Sequence, residues 1–258
     1  MPQLGTRRLL IVVTAVLALS LPSWRDLAAA GQEALPPGRQ IVAQFVTAIG
    51  GQSAFASIKS VRARGRFEIA AQRIAGDVEI LSARPAKLLN RVMVPGLGRI
   101  ETGYDGTIGW TVSPISGPEL LVGRQLAETA DDSLFDGPLH PPAQVKELTT
   151  LGRAEFDGRP AYKVRVVFAS GNTQTEYFDI ETKLQIGSES SRATPQGVID
   201  TVNILRNYKK FGPIMQATTF TQRALGFEQT LTLTSYEYDV VPDSAFEPPA
   251  EIKALVTR

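Results

Sequence analysis

Residues 61–69, VRARGRFEI, decide the fold class of this chain. The odd positions from Val61 to Ile69 carry apolar or small side chains and the even positions carry charges. This period of two predicts a β-strand with one dry face and one wet face. Residues 77–80, DVEI, repeat the alternation with acids. They predict a neighbouring strand whose Asp77 and Glu79 lie opposite the arginines of the first strand, an arrangement that modestly stabilises a strand pair.

Similar short segments continue along the chain and are separated by turn dipeptides such as Asp105-Gly106. We predict around ten strands, of which residues 227–238 show the clearest alternation. Apolar residues between Ile41 and Ile49 recur at helical spacing and predict an opening helix. A second helix is predicted at residues 120–130, between two sets of strands. The pattern indicates an α+β domain with antiparallel connections, as a sandwich or a barrel-like sheet.

The N-terminal segment has the features of an export signal. Two arginines precede an apolar run at residues 9–21, which at about 13 residues is shorter than the ~18 that a membrane-spanning helix needs. Small residues ending at Ala30 offer a cleavage site. We therefore predict a signal peptide at residues 1–30, a linker at 31–37 and a single domain at 38–258. An uncleaved membrane anchor is the alternative.

Composition narrows the class of protein. The formal net charge of +1 lacks the basic excess of a nucleic-acid-binding protein. The chain has no cysteine, so disulfides cannot stabilise an exported domain and no lipoprotein anchor can be attached. We expect a periplasmic protein that is not a lipoprotein.

Few residues offer catalytic or metal-binding chemistry. The one histidine, His140, lies in the proline-rich segment 131–144, and a His- or Cys-based metal site needs more ligands than the chain contains. We interpret His140 as a surface-loop residue and predict no metal and no cofactor. Paired carboxylates such as Asp131 and Asp132 leave a carboxylate-dependent hydrolase as the remaining enzymatic hypothesis.

The dry face of the sheet is the candidate binding surface. It combines small residues with large apolar ones, which form either a packed core or the wall of a ligand cavity. The residues that would line such a cavity are Ala63, Phe67, Ile69, Val78, Ile80, Trp110, Leu231 and Leu233.

The order of these segments resembles the outer-membrane lipoprotein-sorting protein (LolA-like) superfamily. The resemblance rests on a helix ending Ala48-Ile49-Gly50-Gly51, then Ile58-Lys59-Ser60-Val61, Gly103-Tyr104-Asp105-Gly106 with Trp110, Gly158-Arg159-Pro160-Ala161-Tyr162-Lys163-Val164, Tyr177-Phe178-Asp179 with Glu181-Thr182-Lys183-Leu184, and Val241-Pro242 with Phe246 and Pro248. It implies a strongly curved, unclosed antiparallel sheet, a half-barrel, with helices covering the concave face. Family members are periplasmic, carry acyl chains of lipoproteins or other lipids, and bring no catalytic residues with them.

Together these observations predict a non-enzymatic periplasmic carrier or sensor. Its partners would be a lipid or lipoprotein acyl chain and a membrane-bound donor or acceptor protein, with no nucleic acid. The first helix and segment 131–144 are candidate lids. The alternative is an envelope interaction or assembly module with a filled core, in which Arg62, Arg64 and Arg66 form a docking stripe.

Overall fold

One long antiparallel sheet forms the body of the protein. A computed structural model describes residues 34–194 and 197–257. The sheet has 13 strands, which are β1 (Ser60–Ile69), β2 (Ile74–Ala83), β3 (Lys87–Val94), β4 (Gly98–Tyr104), β5 (Gly109–Ser113), β6 (Gly117–Leu120), β7 (Val145–Phe156), β8 (Arg159–Phe168), β9 (Thr173–Asp179), β10 (Gln185–Thr194), β11 (Gly197–Arg206), β14 (Thr219–Ala224) and β15 (Phe227–Tyr238). Their order across the sheet is β6-β5-β4-β3-β2-β1-β15-β14-β11-β10-β9-β8-β7. A separate two-stranded ladder joins β12 (Lys209–Phe211) to β13 (Ile214–Gln216).

Two meanders meet at the centre of this sheet. Strand β1 pairs with β2 on one side and with the last strand, β15, on the other. The edge strands β6 and β7 are not paired with each other, so the sheet is unclosed. This open half-barrel with helices confirms the predicted fold class. The predicted signal peptide lies outside the described residues, and so does the first part of the predicted linker.

The predicted pairing of arginines with acids is present at the centre of the sheet. Arg64 Nε lies 3.1 Å from Glu79 Oε1, and Arg66 Nη1 lies 3.3 Å from Asp77 Oδ1. The registers Arg64↔Glu79 and Arg66↔Asp77 bring these side chains together. Because the pairs are solvent-accessible, each contributes no more than about 1 kcal/mol. We call the face that carries these arginines the outer face and the opposite one the inner face.

Helices cover both faces. The α-helices of the described residues are α1 (Gly38–Ala48), α2 (Gln52–Ala56), α3 (Gly123–Asp132) and α4 (Ala250–Val256), with 3-10 turns at Ala70–Gln72, Gly137–Leu139 and Asp243–Phe246. Helix α1 buries Ile41, Val42 and Phe45 against the inner face of β8 and β9. The rings of Phe45 and Phe178 lie 5.5 Å apart. None of these helices is long and apolar enough to cross a membrane.

The C-terminal segment packs on the outer face. Phe246 and Ile252 form a cluster with Leu81, Leu89 and Trp110. The structure has a 3-10 turn at Asp243–Phe246 followed by helix α4, and the sequence analysis predicted neither. Burial of Phe246 drives this local order, since its side chain is 1% exposed.

Candidate functional site

A cavity of about 390 Å³ lies between the inner face and the elements that cover it. Its volume falls within the range typical of small-molecule sites. We call residues 133–144, which follow α3, the cover loop. The floor of the cavity includes Val61, Ala63, Ile80, Ser82, Phe220 and Leu233, and the roof includes Phe55, Ile58, Leu134, Phe135 and Pro138. The lining is therefore largely apolar, and the roof of the cavity consists of α2, Ile58 and the cover loop.

Small residues on the central strands make room for this cavity. Ala63 and Ser82 replace the bulkier side chains that a filled core would place at the same positions. A β-bulge shifts the register between β1 and β15 at the step from Arg64 to Gly65. A Cβ atom at Gly65 would lie 2.0 Å from the carbonyl oxygen of Thr232, so only glycine fits this close approach. A bulge bends its strand, which helps curve the sheet around the cavity.

The structure places most of the predicted lining residues on the inner face, but only three of the eight line the cavity. Ala63, Ile80 and Leu233 line the cavity. Phe67, Val78 and Leu231 belong to the same apolar cluster as these three, on the same face. Ile69 lies at the end of β1, paired with Ile74.

Trp110 is an exception and needs a correction. The registers Leu81↔Leu89, Leu89↔Gly103 and Gly103↔Trp110 align its side chain with the outer face. It is fully buried there beneath Phe246 and Ile252 and does not line the cavity. The sequence segment before Trp110 begins in a turn, so the alternation could not tell which face the indole occupies.

Arg84 holds the roof of the cavity in place. Its Nε atom donates a hydrogen bond to the carbonyl oxygen of Ile58 at 2.7 Å, and Nη2 donates to that of Phe55 at 2.8 Å. Nη1 donates to Asp136 in the cover loop, and the guanidinium lies 4.7 Å from the centre of the Phe135 ring. One side chain at the end of β2 thus ties α2, the residues after it and the cover loop to the sheet.

His140 is buried, which corrects the interpretation of a surface-loop residue. It is 4% exposed, and its Nε2 atom lies 2.9 Å from Glu176 Oε1 on β9. Gln174 Nε2 donates to the same carboxylate oxygen at 2.6 Å. Burial lowers the pKa of His140, but the Glu176 carboxylate raises it by more, so the pKa lies above its usual value. This ion pair anchors the cover loop to the inner face.

Helix α3 is fastened across the open side of the sheet by its acids. Asp132 Oδ1 accepts from Arg192 at 2.8 Å, and Glu128 Oε2 accepts from the backbone N–H of Ala193 at 2.9 Å. Asp131 Oδ2 accepts from Ser170 and Asn172, each at 2.6 Å. The carboxylates that the sequence offered for hydrolysis are thus engaged in anchoring a helix. In the part of the chain that is described, no three His, Asp or Glu side chains converge as metal ligands.

The sequence analysis did not identify Arg84 or the pairing of His140 with Glu176. The partners of Arg84 lie up to 52 residues away along the chain, so no local spacing indicates them. The burial of Glu176 could have been predicted from the sequence. Glu176 is two residues before Phe178 in the same strand, so its carboxylate lies on the dry face. A buried acid of this kind needs a cationic or hydrogen-bonding partner.

The outer face has a second depression, of about 530 Å³. Its walls include Arg64, Arg66, Arg91 and Arg99, most of whose charges are paired with Glu79, Asp77 and Glu101. This depression is bounded mainly by charged side chains of the sheet, whereas the inner cavity lies between the sheet and its roof and has a largely apolar lining. The inner cavity is therefore the better candidate for a ligand site.

Comparison with solved structures shows which fold surrounds this cavity. A LolA superfamily protein from Nitrosomonas europaea superimposes with a TM-score of 0.55 and 13% sequence identity, over 83% of this chain and 99% of that one. A putative outer membrane lipoprotein-sorting protein domain from Vibrio parahaemolyticus gives a TM-score of 0.52 and 11% identity, over 86% of this chain and 98% of that one. A DUF1329 family protein from Desulfovibrio piger gives 0.54 and 12%, over 83% and 98%.

Sequence comparison alone adds nothing to this result. No protein-family model matches the chain, and no curated protein matches it. The likeness therefore lies in the course of the backbone, an open antiparallel sheet with helices across its inner face. The chain has the LolA-like fold that its sequence resembles.

Proposed function

We propose that this protein is an exported carrier or sensor that holds the acyl chain of a lipid or lipoprotein in the inner-face cavity and catalyses no reaction. The observation that carries the proposal is the roofed cavity of about 390 Å³ with its mostly apolar lining. The LolA-like fold and the predicted export signal support it.

Burial of hydrocarbon alone supplies useful affinity in such a cavity. Each methylene moved from water into an apolar site contributes about 0.8 kcal/mol. About ten buried methylenes would give about 8 kcal/mol, which corresponds to a micromolar Kd before the cost of association. Affinity then comes from chain length, and the polar part of the lipid remains free to set specificity.

In this proposal the roof moves when an acyl chain enters the cavity. The roof consists of α2, Ile58 and the cover loop, and both parts are attached to the sheet through Arg84. The roof opens to load and release the lipid. A membrane-bound protein is the partner, either as the donor that supplies the lipid or as the acceptor that receives it. The setting is the periplasm, to which the predicted signal would direct the chain.

The test combines native mass spectrometry with titration of a fluorescent fatty acid. Mature protein purified without detergent should carry a species of lipid mass that organic extraction removes, and the extracted protein should bind the fluorescent acid. The variant Ser82→Phe fills the cavity from its floor and should weaken that binding at least tenfold. The matched control Thr232→Phe places the same ring at an exposed outer-face position and should leave binding unchanged.

The following results decide whether the carrier proposal holds. Loss of binding in Ser82→Phe counts only when the circular dichroism spectrum and Tm match those of the control variant. If wild-type protein carries no lipid and binds no added fatty acid, the carrier proposal is refuted. The alternative of an interaction module with a filled core then becomes the better interpretation.

A further inference from the structure

The inner face of the sheet has a polar row beside its apolar cluster. Gln229 Nε2 on β15 donates to Gln222 Oε1 on β14 at 3.1 Å, and Gln222 Nε2 donates to Asn203 Oδ1 on β11 at 3.2 Å. Asn203 Nδ2 lies 3.5 Å from Ser188 Oγ on β10. We call these four residues the amide row. It crosses adjacent strands in the direction of their backbone hydrogen bonds.

The amide row borders the apolar floor directly. The cross-strand pair Gln222↔Gln229 is two residues along the strands from the pair Phe220↔Leu231. Two residues of a strand span about 6.7 Å, and both pairs lie on the same face. Phe220 lines the cavity, and Leu231 belongs to the apolar cluster next to it. A ligand whose chain lies on the apolar floor therefore brings its polar end to the amide row.

The amide row is accessible and has unused hydrogen-bonding capacity. Gln229 is exposed, and Gln222 and Asn203 are half-buried. A side-chain amide has two N–H donors and an oxygen with two lone pairs. Each of Gln222 and Asn203 uses one donor and one lone pair within the row, which leaves one of each for a ligand.

Two charged side chains near the amide row are already paired. Glu176, the cross-strand neighbour of Ser188, is paired with His140. Arg192, further along β10, is paired with Asp132 at 2.8 Å. A phosphate placed beside these pairs would lose hydration and would compete with Asp132 and Glu176 for their cations, which is unfavourable at a partly buried site. An uncharged group that both donates and accepts hydrogen bonds fits the same surface without that penalty.

We propose that the amide row is a head-group subsite that selects lipids with an uncharged hydroxyl or amide head group over anionic lipids and over esters that have no hydrogen-bond donor. This inference rests on the proposed function, because the acyl chain must lie on the adjacent apolar floor. Gln222 and Asn203 are its central specificity-determining residues.

The experiment compares three lipids that share one palmitoyl chain, each used to displace a fluorescent fatty acid. Monopalmitoylglycerol has free hydroxyls, methyl palmitate has no donor, and palmitoyl lysophosphatidic acid is anionic. We expect monopalmitoylglycerol to bind at least tenfold more tightly than either of the others. The double variant Asn203→Leu/Gln222→Leu should reduce this preference to less than threefold while methyl palmitate still binds. The control variant Thr221→Val, on the outer face of the same strand, should keep the wild-type preference.

The outcomes separate the two proposals. If all three lipids bind equally to wild-type protein, or if lysophosphatidic acid binds best, the head-group subsite is refuted and the carrier stands. The same holds if the double variant keeps the full preference. If no lipid displaces the fluorescent acid and the acid itself does not bind, the carrier proposal fails and the subsite fails with it.

Discussion

Removal of the Arg84 side chain should open the roof of the cavity. The variant Arg84→Ala removes the hydrogen bonds to the carbonyl oxygens of Phe55 and Ile58, the contact with Asp136 and the packing on Phe135. Hydrogen bonds that involve a charged group contribute about 1.5–3 kcal/mol each. A partly exposed ion pair adds about 0.5 kcal/mol, and an exposed cation–π contact adds a similar amount.

At the lower end of these ranges the contacts of Arg84 are together worth about 4 kcal/mol. The side chain is 29% exposed, so water replaces part of what is lost. We expect Arg84→Ala to lower the free energy of unfolding by about 2–4 kcal/mol in urea titrations. Because the lost contacts are confined to the roof, hydrogen exchange should accelerate most in α2 and the cover loop.

A matched control separates the roof from a general loss of charge. Arg64 is half-exposed on the outer face and bonds Glu79 at 3.1 Å, so Arg64→Ala should cost no more than about 1 kcal/mol. Arg84→Lys keeps a cation near Asp136 but cannot span both carbonyl oxygens, so it should lie between wild type and Arg84→Ala. The reasoning is wrong if Arg84→Ala stays within 0.5 kcal/mol of wild type, about the size of a neutral surface change, and exchange in the roof does not change.

Three further predictions concern other contacts. Because the chain has one histidine, NMR titration should show a pKa for His140 above its usual value. Glu176→Gln should lower that pKa, because the effect of burial remains while the negative charge of Glu176 is lost. The stabilisation from this pair should be complete at acidic pH and should decline as pH rises through the raised pKa of His140, which a urea titration series across pH would detect. Gly103→Ala should cost about 1–3 kcal/mol and lower Tm in calorimetry, because a Cβ there would lie 2.2 Å from the Trp110 ring.

The alternation of apolar and polar residues in the strands allowed strand pairing and the faces of several side chains to be predicted from the sequence. The charges of 62, 64 and 66 and their acidic partners predicted the pairing of β1 with β2, and the structure shows that pairing. Alternation also placed Ala63, Ile80 and Leu233 on one face. The pairing of β1 with β2 could be predicted because these strands follow one another along the chain, and the face of Leu233 could be predicted because alternation within one strand is itself a local pattern.

Features that depend on distant contacts could not be predicted in this way. Trp110 lies in a short strand that follows a turn, and its face is fixed by Phe246 and Ile252 near the C-terminus. The burial of His140 depends on Glu176, and the role of Arg84 depends on carbonyl oxygens in α2 and beyond. In each case the partner is distant along the chain and is brought close only when the helices and loops pack on the sheet.

The contrast between the two faces of the sheet explains why the inner one is suited to a ligand. On the outer face, the wide apolar side chains of Leu81, Leu89 and Trp110 are covered by Phe246 and Ile252 of the chain itself. On the inner face, Phe55 and Ile58 of the roof are buried in an apolar cluster with Phe45 and Phe178, and Arg84 and the His140–Glu176 pair add polar contacts beside the cavity. The two covers differ in what they leave between themselves and the sheet. The C-terminal segment fills the space over Trp110, whereas the roof leaves a cavity of about 390 Å³ with a largely apolar lining. The inner face is thus the side of the sheet that has room for a ligand.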